Sequence, residues 1–329
     1  MNSYYFKQAE FALAAYSNLN SDMPLNDYLI ALGNNGGGLS PSQANTFANT
    51  YRVVTQYGNA TGLSATVFAD NVTVETFLAI RGTEITDSGD IFAGLSIATF
   101  GTTVLQPQYA SLKAQVQTWL SDGILPQTFT VTGHSLGGFL ATGLVDDPVF
   151  ASHISHAYLY NTPGMGGIIG SFADKLLGFM RLSPLNDSAK ISNIVASAGI
   201  KPIAGLGFDA APPINIIIED QTQTQTQTQT QTQTQTQTSG SSPSKNHSQQ
   251  ALTDSLAIYN AYSQLATSPS LTQSQLSTLI DAFGTTEDTT SNGRTLESAL
   301  DALRFIVLGP SDAKTDTRAK MKNEWRFAA

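Results

Sequence analysis

The run Gly133-His134-Ser135-Leu136-Gly137-Gly138 constrains this chain more than any other stretch, because of what flanks it. Before it stands Phe129-Thr130-Val131-Thr132, a β-branched and aromatic run that reads as a short buried strand. After it comes Phe139-Leu140-Ala141-Thr142-Gly143-Leu144, which reads as a helix. A strand that becomes a helix within one residue leaves that residue, Ser135, in strained backbone. Its neighbours must pack against strand and helix without side chains, which glycine allows. A G-x-S-x-G pattern in this setting raises the serine hydroxyl above the end of a sheet.

Elsewhere the chain alternates in the same way. Phe6, Ala9, Leu13 and Tyr16 fall at helical spacing, so residues 6–16 are expected as an amphipathic helix. A Gly/Asn-rich break at 33–38 precedes a helix expected over 41–51, opened by Ser40 as N-cap. Strands are expected at 65–69 and 72–81, joined by Asp70-Asn71, and a helix at 107–120 with Pro107 in its first turn. Further strands follow at 156–160, 191–196 and 214–218. Strands alternating with helices imply an α/β architecture, a mostly parallel sheet with helices on both faces, in one domain over 1–310.

Residues 221–238 are an unbroken Gln-Thr repeat followed by Ser239-Gly240-Ser241-Ser242-Pro243. Having no apolar face, the stretch 221–245 is expected to be a disordered or surface loop. Helices are expected again at 251–265 and 296–307, packing through Leu252, Leu256, Tyr259, Leu300 and Leu303, and 311–329 reads as a frayed polar tail.

A formal net charge of −9 argues against a nucleic-acid surface, which needs clustered Lys and Arg. With no cysteine and four scattered histidines, neither thiolate sites nor a buried catalytic metal is expected, and nothing points to a cofactor. Only a loosely held Ca²⁺ on carboxylates stays open. The first residues lack a basic segment followed by an apolar run, and no window makes a membrane span. Export without a signal peptide and a cytoplasmic location both remain open.

The motifs Ala79-Ile80-Arg81-Gly82-Thr83, Val131 to Gly138, and Tyr160-Asn161-Thr162-Pro163-Gly164 resemble those of the fungal triacylglycerol (class 3) lipases, members of the α/β-hydrolase class. Residues 5 to about 308 are similar more closely to a bacterial group of lipase-like proteins, through Gly205-Leu206-Gly207 and Asn246-His247-Ser248 to Leu256. The resemblance implies a serine hydrolase acting on acyl esters, with a lipid or ester substrate met at a lipid–water interface. It also leaves open that the chain is one module of a longer protein.

Ser135 is the expected nucleophile and needs a general base. His134 sits inside the turn and should point away from the hydroxyl, and His153 and His156 come too early for the Ser…acid…His order of this fold. That leaves His247, after the last strand-like run; the alternative is that it only caps the following helix. The acid is less defined. Class 3 lipases place an Asp-Pro pair after the penultimate strand, whereas this chain reads Gly199-Ile200-Lys201-Pro202. Asp220 is preferred, at the end of the last strand, with Glu219 and Asp209 as alternatives and a Ser–His dyad also workable.

The motif assigns one oxyanion donor to the backbone N–H of Leu136, and the resemblance assigns the other to Thr83. Residues 85–104 follow, with Ile91, Phe92, Leu95, Ile97 and Phe100 among glycines; they read either as an apolar lid or as a core helix. Lys201 motivates a competing reading, a catalytically silent hydrolase fold that binds lipid or a partner.

Overall fold

The protein is described by a computed structural model covering residues 2–33, 38–82, 97–162, 165–166, 188–196, 207–208, 211–216 and 248–266. Three helices, α1 (Asn2–Ala14), α2 (Leu25–Gly33) and α3 (Pro41–Thr50), come before the strands β1 (Tyr51–Gly58), β2 (Ser64–Asp70) and β3 (Thr76–Ile80). The chain continues through α4 (Ile97–Ser121), β4 (Phe129–His134), α5 (Leu136–Asp146), β5 (Ile154–Tyr160) and β6 (Met165–Gly166). It then forms β7 (Ile191–Ala196), β8 (Gly207–Phe208), β9 (Pro213–Ile216) and α6 (Gln249–Ala266). Seven strands make one sheet in the order β1-β2-β3-β4-β5-β7-β9, and β6 pairs with β8 separately. The β1–β2 and β2–β3 pairs are antiparallel; the other four pairs of the large sheet are parallel.

Successive side chains of a strand point to opposite faces, and the core divides accordingly. Val67, Leu78, Ile80 and Val131 face α4 and α5, joining Tyr109, Val116 and Phe139. Phe68, Phe77 and Ala79 face the other way, onto α1 and α3. Phe11 of α1 is the hub there: its ring stacks on Phe77 at 4.5 Å and meets Tyr51 at 4.6 Å and Phe47 at 5.3 Å. Further along the sheet, Tyr160, Ile194 and Ile216 pack with Ala9 and Ala12 of α1 and Leu252 and Leu256 of α6. Helices thus cover both faces. α5 is buried on every side from Leu136 to Val145, as a helix apolar all round must be.

Several boundaries differ from the sequence expectation. α1 begins at Asn2 and stops before Tyr16, and neither α2 nor β1 is anticipated. The expected strand over 72–81 shortens to β3 because Asp70 folds residues 71–75 into a turn. Its carboxylate accepts the N–H groups of Val72 and Thr73, both at 2.8 Å, and Val74 takes a left-handed φ of 59°. α4 starts ten residues before Pro107, so the proline lies inside the helix rather than in its first turn. Residues 97–104, half of the lid expectation, are the opening turns of α4; residues 85–96 lie outside the described residues. So do the 221–245 loop, the 296–307 helix and the 311–329 tail. Among the described residues no helix is long and apolar enough to cross a membrane.

Candidate active site

Parallel β4 delivers the chain to the carboxyl end of the sheet, where Ser135 turns it into α5. Ser135 has φ 55° and ψ −124°, a combination that costs a non-glycine residue about 1–3 kcal/mol and persists only where its surroundings dictate it. Its N–H donates to the Tyr160 carbonyl at 2.9 Å, and its carbonyl accepts from Phe139 N–H at 3.2 Å, starting the helix. The side chain does not cap α5, and the residue is 4% exposed. Leu136 follows as the first helical residue, so its N–H has no partner one turn earlier within the helix.

The glycines of the motif are required by close approach. A Cβ on Gly133 would enter the Gly137 backbone, one on Gly137 would meet the Ile80 carbonyl, and one on Gly138 would meet Thr162 Oγ1. β3 ends against the same turn. A Cβ on Gly82 would lie 2.6 Å from the His134 carbonyl oxygen, 2.6 Å from the Tyr16 hydroxyl and 3.1 Å from Ser135 Cβ. The Arg81-Gly82 backbone therefore runs beside the nucleophile candidate. Thr83, the expected second oxyanion donor, is the next residue and lies outside the described residues.

Three of the four histidines are engaged elsewhere. His134 Nδ1 lies 2.7 Å from the Tyr16 hydroxyl, with the ring 5% exposed. His153 Nδ1 lies 2.7 Å from the Gln127 carbonyl oxygen and His156 Nε2 2.9 Å from Ser192 Oγ; burial holds the His156 imidazole below its ordinary pKa. In register His156 faces Thr130 while Tyr160 faces His134, so His156 is four residue steps, about 13 Å, down the sheet from the Ser135 end.

His247, Asp220, Glu219, Asp209 and Lys201 lie outside the described residues. The helix after His247 is capped by its neighbour: Ser248 Oγ accepts from Ala251 N–H at 3.2 Å. That first turn docks on α1, where Gln249 Nε2 donates to the Ala9 carbonyl at 3.1 Å. Among the described residues no group of three or more His, Asp or Glu side chains could hold a metal ion.

Three contributors escape the sequence reading of the site. Tyr16 counts there as one apolar position of a helix, yet its hydroxyl reaches His134 and Gly82. Asn161, at φ 45°, accepts the Ala196 N–H on Oδ1 at 3.0 Å and donates its own N–H to Ile194 at 2.9 Å, tying the carboxyl ends of β5 and β7. Thr162 seats against Gly138. The Asn-Thr pair was visible only as part of a motif, with no stated job.

A mostly parallel sheet entered by an antiparallel pair, covered on both faces, with a strained serine between β4 and α5, defines the α/β-hydrolase fold. No family model and no curated protein matches the sequence. Among solved structures the chain is similar to the Lip2 lipase of Yarrowia lipolytica, at 16% identity over 61% of this chain and 72% of that one, with a TM-score of 0.36. It is also similar to a fungal lipase, at 14% identity over 67% and 80% of the two chains, with a TM-score of 0.43. A triacylglycerol lipase of Penicillium expansum matches at 15% identity over 53% and 71%, with a TM-score of 0.28. These structures are fungal and lend no support to the nearer bacterial likeness expected from the sequence. The fold assignment rests on the strand order and the turn.

Proposed function

We propose that the chain is a serine hydrolase of carboxylic esters, of the lipase kind, with Ser135 as nucleophile. The observation that carries this reading is the strained Ser135 backbone at the carboxyl end of β4, with Gly82 packed against it. Strain of this sort is stored where it serves a reaction. In the proposed cycle Ser135 Oγ attacks the ester carbonyl carbon while its proton passes to His247. The N–H groups of Leu136 and Thr83 hold the oxyanion. Collapse of the tetrahedral intermediate breaks the bond to the alcohol, which takes the proton from His247 and leaves. Water then repeats the sequence on the acyl-enzyme and releases the acid. Asp220 is the preferred partner for orienting His247, with Glu219 or Asp209 as alternatives.

Hydrolysis of p-nitrophenyl esters of short and long acyl chains tests the reading. Ser135→Ala and His247→Ala are each expected to lower kcat by about 10³-fold or more. Retained turnover in Ser135→Ala would sink it. Lys201, standing where the resemblance expects an acid, favours a second reading, a silent fold that binds lipid or a partner. A fluorophosphonate separates the two, since only an activated serine is labelled.

A further inference from the structure

A cavity of about 780 Å³ opens beside the carboxyl end of β3, within the range of about 300–1,000 Å³ that small-molecule sites occupy. Tyr16 and Arg81 line it, so it shares one wall with the candidate active site: the Tyr16 hydroxyl lies against Gly82, and Gly82 lies against Ser135. Gln56 fixes its floor. That side chain accepts the Leu19 N–H at 2.9 Å and donates to the Ser17 carbonyl at 2.9 Å and to Thr66 Oγ1 at 2.7 Å, clamping the loop after α1 to the sheet. Asn59 shapes the opposite side by accepting the Thr61 N–H at 3.0 Å.

The lining mixes aliphatic and uncharged hydrogen-bonding groups. Leu19 and Leu63 are buried in it, and Ile30 stands at the rim 58% exposed. Asn18, Ser17 and Ser64 lie between them. The Ser17 hydroxyl is buried with no hydrogen-bond partner among the described residues, and Ser64 is 7% exposed.

We propose that this cavity receives the alcohol arm of the ester, and that this arm is a small polyol of the glycerol type. An ester carbon held at Ser135 has two arms, and the one on the Gly82 side passes Tyr16 into the cavity. An acyl chain there would strip water from amide and hydroxyl groups and return no hydrogen bond. A polyol returns those bonds through its hydroxyls and lays its carbons along Leu19 and Ile30. The assignment of the arm rests on Ser135 being the attacking group; the cavity's preference for a polyol is measurable without turnover.

The test is binding of 1-O-octylglycerol, a non-hydrolysable ether, by titration calorimetry, with octyl methyl ether as the hydroxyl-free control. Ala60→Trp fills the cavity from the exposed β1–β2 turn, and Asn18→Leu removes an exposed hydrogen-bonding group, so neither touches the core. The parent is expected to bind octylglycerol saturably and in preference to the control, and both variants to bind it about tenfold more weakly or worse. No saturable binding, equal binding of the control, or unchanged binding in both variants would overturn the proposal. Binding without ester turnover would keep the site and remove the hydrolase; turnover without binding would do the reverse.

Discussion

Gly137 faces backbone rather than space, because α5 crosses the end of β3 so closely that a Cβ would meet the Ile80 carbonyl and the carbonyl carbon of Arg81. Neither neighbour can rotate away as a side chain would. Gly137→Ala is therefore expected to destabilise the fold by about 2–3 kcal/mol or more, read as a lower urea midpoint at unchanged m-value. At the same scale Glu10 carries a charge problem. It is buried in α1 at 8% exposure, and desolvation pushes its carboxyl from the ordinary 4.5 up to about 8. Between those values the unfolded chain ionises while the folded one stays protonated. Stability therefore falls with rising pH at up to about 1.4 kcal/mol per unit, and levels off above about 8. Glu10→Gln should flatten that slope in melts run from pH 4.5 to 8; an unchanged slope would place the titration elsewhere. Ser135 was legible because glycine spacing encodes backbone strain. Tyr16 and Glu10 were not, because each sits at an ordinary helical period and acquires its role only from what packs above it.

Elements were legible where local chemistry closes them. Ser40 and Gln43 form a reciprocal capping box: Ser40 Oγ accepts the Gln43 N–H at 3.2 Å, and Gln43 Oε1 accepts the Ser40 N–H at 2.9 Å. That local bond pair is why α3 starts where the sequence says. Ser40→Ala should cost about 1 kcal/mol, measured by thermal or urea unfolding, and a neutral result would mean that packing of Phe47 alone sets the start of α3. Elements set by tertiary partners were not readable. β1 becomes a strand by pairing with β2 through a register shift between Val53 and Thr55, and its half-buried residues give no clean alternation. The start of α4 is likewise hidden, since a proline in mid-helix reads as a beginning. The candidate site divides the same way: the nucleophile turn is local, whereas the base and acid depend on loops whose spacing carries little information.

Across the whole molecule, burial on both faces ranks the strands. Leu78, Ile80, Val131, Ala157 and Leu159 are 0% exposed, and they belong to β3, β4 and β5, the centre of the sheet. β1 and β9 are the ends of the described sheet, and β9 leaves Pro213 and Asn215 exposed. An amide exchanges when its hydrogen bond opens, and opening costs most where apolar contacts close both faces. Native-state hydrogen exchange should therefore be slowest for β4 and its neighbours β3 and β5, and fastest for β1 and β9. The Ser135 N–H, bonded to Tyr160 across the β4–β5 pair, should exchange with the slow set. That expectation links strain to architecture: a serine at φ 55° is kept there by the part of the sheet that opens least. If its amide instead exchanges with the edge strands, the strained conformation is a local excursion, and the sheet centre does not hold it in place.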